Sequence, residues 1–130
     1  MRRIHPFVAG HVVAGLIVGA GVGVTLDAEA AVLGGALLAA GAAVSSLVCW
    51  WKPGLEAPAW QLLPVALLAN PLMLVALGYM ASEFDCVVGA RRGWGCLGTA
   101  IAIVVAGACV PPPLLAGAWR WWRRRRASPG

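Results

Sequence analysis

FVAGHVVAGLIVGAGVGVTLDAEAAVLGGALLAAGAAVSSLVCWWKPG, residues 7–54, is the stretch that decides the fold. It holds two apolar runs, residues 7–26 and 30–51, parted only by the acids Asp27 and Glu29. The second run closes on Lys52-Pro53-Gly54, a strong turn signal. About 20 apolar residues in a row cross the roughly 30 Å hydrocarbon core of a bilayer as a helix. Neither run alternates between apolar and polar residues, as the strands of a membrane barrel do. With so short a connection, the two helices must lie antiparallel.

The same reading extends along the chain. A third run covers residues 60–80 and a fourth covers residues 96–119, followed by a basic tail over residues 120–130. The sequence therefore predicts an all-α integral membrane protein with a single membrane domain over residues 1–130. It predicts four transmembrane helices in an up-down antiparallel bundle, the fourth broken at Pro111-Pro112-Pro113. From Cys96 to Val110 a helix reaches only about 22 Å at 1.5 Å per residue, short of the core thickness. Either the helix breaks and resumes at Leu114, or the span tilts and the bilayer thins around it. A resumed piece from Leu114 to Arg126 could lie at the interface, Trp among headgroups and Arg toward anionic lipid.

Composition agrees. Of 130 residues, 61% are hydrophobic and only 12% charged, and the mean hydropathy is +0.83. A soluble domain carries about 25% charged residues. The net charge of +5 sits at the ends of apolar runs, where it anchors and orients helices, so no nucleic-acid partner is expected. The expected partners are membrane lipids and other membrane subunits.

Orientation follows from the basic residues. With four spans, Arg2, Arg3, Lys52, Arg120 and Arg123 to Arg126 fall on one side, and Arg91 and Arg92 on the other. The basic-rich side is cytoplasmic, which predicts both termini inside, in the inner membrane of a bacterium. Trp50, Trp51, Trp60, Trp94, Trp119, Trp121 and Trp122 all fall at predicted span ends, where an indole lies among headgroups. Met1-Arg2-Arg3, the first run and Ala28-Glu29-Ala30 resemble a cleavable signal. The run is longer than a usual signal core, so it reads as a retained first span.

The candidate sites are few. Gly15, Gly19 and Gly23, four residues apart, form a helix-docking stripe on which another backbone can approach closely. Gly10 and Ala14 extend it, and Gly35, Ala39 and Ala43 repeat the theme on the second span. The stripe serves either packing within the chain or a partner subunit, and alanine at Gly19 should still permit the approach. Cys86 and Cys96 bracket the one long loop on the predicted outer side, an oxidising place in bacteria, and are expected to form a disulfide. Cys49 and Cys109 read as small buried apolar residues.

His11 is the weaker candidate for a ligand, since an ionisable group within a span is functional by default. His5 and His11 lie about 600° apart in helical phase, so they do not share a face. Asn70, followed by Pro71 near the middle of the third span, either satisfies a freed carbonyl at a kink or lines a polar path. No phosphate-binding loop, His-Glu-x-x-His, nucleophile elbow, Cys-x-x-Cys or metal-spaced cluster occurs. No enzymatic activity, cofactor or metal is therefore expected. The expected role is a non-catalytic accessory or assembly subunit of a larger inner-membrane complex, respiratory or photosynthetic. The alternatives are a small homo-oligomeric channel or transporter and a holin-like membrane-lesion protein.

Overall fold

The computed structural model describes residues 4–52 and 54–128. Arg2 and Arg3 of the basic cluster and Pro53 of the turn lie outside the described residues. The chain is helical, with no strand among the described residues. Three helices are long and apolar enough to cross a membrane, and a fourth if one bent pair counts as a span.

Helix α1 (Pro6–Val24) starts where Pro6, which has no N–H to leave unsatisfied, follows His5 as N-cap. The His5 Nδ1 accepts the Phe7 N–H at 3.2 Å. After a short turn, Asp27 caps α2 (Ala28–Trp51) by accepting the Ala30 N–H at 2.7 Å. Glu29 sits in the first turn, favourable beside the positive end of the helix dipole. The two acids that end the first apolar run thus start the second helix.

The third run is not one helix. It divides into α3 (Ala59–Leu68) and α4 (Pro71–Ser82), bent by 65°. Asn70 accepts the Leu72 N–H at 3.0 Å, and Pro71 takes the first helical position. Asn as N-cap with Pro behind it is a helix-start signal, which makes this a break and not a soft kink.

A single turn, α5 (Phe84–Val87), leads into the long loop. A 3₁₀ turn, Trp94–Cys96, then leads out of the loop into α6 (Leu97–Cys109). Finally α7 (Pro111–Ala127) follows after Val110 alone, which keeps right-handed helical dihedrals of −74° and −48°. The expectation that the helix resumes at Leu114 is corrected here. The prolines form the first turn of α7, where missing N–H groups cost no intrahelical bond. From Trp94 to Ala127 the chain runs as one 34-residue element. The basic tail expected over residues 120–130 is helical through Ala127.

Packing is inverted relative to a soluble protein. Much of the interior is made of small and polar residues: Ala14, Ala42, Ser45, Ser46, Ala76, Ala102, Ala106 and Ala116 are buried. Large aliphatics such as Leu16, Ile17, Val32 and Leu33 face outward, Ile17 with 65% of its surface exposed. Lipid is as apolar as leucine, so close backbone approach and polar links hold such helices together. One cluster joins α2, α4 and α6 around Leu38, Met73 and Ala102. The other joins α1, α2, α3 and α7 around Phe7, Cys49, Leu62 and Ala116. All seven tryptophans are exposed.

Candidate functional site

The glycine stripe of α1 faces α2 of the same chain. A Cβ on Gly15 would meet the Leu38 carbonyl at 2.8 Å, and Cβ atoms on Gly19 and Gly23 would overlap the carbonyls of Gly34 and Ala30. The pairing descends one helix in four-residue steps as it climbs the other, an antiparallel register of backbone on backbone. The face that sequence alone left open to a partner subunit is therefore occupied from within. On α2 the contacting positions are Ala30, Gly34 and Leu38. Of the stripe predicted there, Gly35 is buried beside Leu16, while Ala39 and Ala43 are only half-buried.

Beyond that zipper lies a polar seam. His11 is 0% exposed, and its Nδ1 lies 3.1 Å from the Ser46 Oγ. The His11 ring is 5.5 Å from that of Phe7, and its Nε2 is buried with no partner among the described residues. Ser45 Oγ donates to the Ala66 carbonyl at 2.6 Å, tying α2 to α3. Asn70 is buried with its amide packed on Gly41, so its carbonyl caps α4 while its flank holds α2. Each of these side chains joins two elements.

The seam opens at one end onto a charged junction. His5 accepts the Phe7 N–H through Nδ1, so its ring proton sits on Nε2, which donates to Glu56 Oε1 at 3.1 Å. Arg124 donates to Glu56 Oε2 at 3.0 Å. The hydrogen bond from His5, with Arg124 and Arg120 nearby, holds the Glu56 carboxyl below the ordinary carboxylate range. The start of α1, the loop after α2 and the end of α7 thus meet at one end.

Arg120 lies beside this junction and is only 6% exposed. Both terminal guanidinium nitrogens are buried without a hydrogen-bond partner among the described residues. It lines a cleft of about 260 Å³ with Phe7, Leu62, Leu63, Trp121 and Arg124. Read as part of a tail, Arg120 shows nothing unusual. Read as helix, it is the next step of a stripe through Pro112 and Ala116, both buried, and that spacing is the signal that finds it.

At the far side, Cys86 and Cys96 are disulfide-bonded. The loop they close holds Gly93 at φ +111°, a left-handed conformation that favours glycine. Arg91, inside the loop, pairs with Glu83 just before it. Cys49 and Cys109 are free and buried. Among the described residues, no three His, Cys, Asp or Glu side chains converge as a metal site would need. No protein-family model matches the chain, and neither a curated protein nor a solved structure matches it.

Proposed function

We propose that this chain crosses the inner membrane of a bacterium four times, with both termini cytoplasmic, in an up-down arrangement. In this reading α3 and α4 make one bent span, and α6 and α7 make one long span. Its role is that of a non-catalytic accessory or assembly subunit in a larger complex of respiratory or photosynthetic type. The observation that supports this is where the polar groups lie. His11, Ser45 and Ser46 are buried and hydrogen-bonded between elements, and buried Asn70 packs on Gly41 of α2, so they hold helices together, while the large aliphatic side chains of the long helices face outward. Such a chain contributes shape and surface to an assembly.

A homo-oligomeric channel or transporter has one observation in its favour, the 65° break between α3 and α4, since transporters bind substrate at broken helices. Native mass in mild detergent separates the two readings. A subunit purifies in a fixed ratio with other membrane chains. A homogeneous oligomer of this chain alone, passing ions in liposomes, would overturn the proposal. For topology, a cysteine introduced at Ser128 should label only after permeabilisation and one at Glu29 in intact cells. Labelling of Ser128 from outside would remove the even number of spans.

A further inference from the structure

Arg120 presents an unsolved problem in the charge balance of the molecule. A buried guanidinium is strongly disfavoured unless acceptors surround it. Among the described residues, no carboxylate lies within ion-pair distance of it. The nearby acid, Glu56, already has one oxygen taken by His5 and the other by Arg124. Among the described residues no acceptor meets the two terminal nitrogens, which leaves them to an acceptor from outside those residues. The adjoining cleft of about 260 Å³ is lined by Arg120 and Arg124 and by the apolar residues Phe7, Leu62, Leu63 and Trp121.

We propose that the cleft between α1, α3 and α7 binds the phosphate of an anionic membrane lipid, with Arg120 as the buried donor and Arg124 beside it. Arginine presents paired N–H groups that match two phosphate oxygens. A free phosphate ion would leave the apolar walls unused, whereas the glycerol and upper acyl carbons of a lipid cover them. The exposed arginines Arg123, Arg125 and Arg126 are different in kind. They sit in the general field of the membrane surface, and Arg125 and Arg126 stack on Trp121 and Trp122 at 4.1 and 3.9 Å. They attract anionic lipid without selecting a place for it.

The proposal rests on the membrane reading above, which is checked separately by resistance of the full chain to carbonate extraction. The test is native mass spectrometry of the full chain from detergent holding equal phosphatidylglycerol and phosphatidylcholine. The wild type should retain phosphatidylglycerol about tenfold over phosphatidylcholine, the size of one charge-assisted contact. Arg120→Met keeps the bulk and removes the charge, and should bring the ratio near parity, while Arg126→Gln should leave it unchanged. If Arg120→Met does not accumulate, Arg124→Gln is read instead and should lower the ratio severalfold. Retention undiminished in Arg120→Met, or in Arg124→Gln where that is the variant read, overturns the proposal, as does equal loss in Arg126→Gln. Displacement of the lipid by inorganic phosphate would assign the cleft to a free ion and overturn the lipid. So would an acidic side chain of a co-purifying protein occupying it.

Discussion

Gly19 of α1 and Gly34 of α2 meet backbone to backbone, so closely that a Cβ on either one would strike the carbonyl of the other. Their contact is the centre of the α1–α2 pair, and it makes alanine at Gly19 a larger change than small-residue spacing implies. Gly19→Ala should destabilise the protein by about 1–3 kcal/mol, the usual cost of forcing added carbon into a packed contact. Gly21 in the same helix has open space around its Cβ position, and Gly21→Ala should be neutral or slightly stabilising. Thermal unfolding in one detergent compares them directly. Equal melting temperatures for the two variants would show that the helices are not this close.

The His11–Ser46 link should couple energetically. Ser46→Ala leaves a fully buried imidazole with neither nitrogen satisfied among the described residues. A double-mutant cycle of Ser46→Ala with His11→Phe should report a coupling of about 1 kcal/mol, within the range for interhelical hydrogen bonds in membranes. A coupling near zero would mean that the two side chains do not meet.

Glu56 gives a pH signature. Its pKa is lowered from the ordinary 4.5, first by the His5 hydrogen bond and then by Arg124 and Arg120. A carboxyl with a depressed pKa in the folded state contributes stability that is full above its unfolded value. That contribution is lost as pH falls through the folded value. Wild type should therefore exceed Glu56→Gln in melting temperature at neutral pH, and the difference should shrink as pH falls below 4.5. The gap should be small, because the side chain is 79% exposed and water screens it. A gap that stays constant to the acid limit would remove Glu56 as its source.

Reduction should loosen the far side. The bond between Cys86 and Cys96 spans ten residues, and closing so short a loop restricts the unfolded chain by about 3 kcal/mol in the entropic model. Cys86→Ser should lower the melting temperature, and intact mass should gain two alkyl groups at these positions only after reduction. Alkylation of both without reductant would contradict the bond.

Much of this was legible from the chain as a string. Asp27 and Glu29, Asn70-Pro71 and the bracketing cysteines each mark a local event, and each stands near where spacing placed it. The proline triplet misled because the same residues that stop a helix also begin one. Whether they end α6 or open α7 depends on the helix that follows. Asn70 was ambiguous for a similar reason, since a carboxamide serves equally as a cap or as a polar lining until its neighbours are known.

Sequence by itself determined that the chain is helical and apolar enough to cross a membrane, and that its basic residues gather at the ends of apolar runs. Those properties follow from run length and local composition, which need no knowledge of what touches what. Tertiary structure alone decided that the glycine stripe is filled by α2, that His11 finds Ser46, and that Arg120 is buried with no counter-charge among the described residues. Each depends on the rotation of one helix about its axis relative to another, and that rotation is set by contacts between residues far apart in the chain.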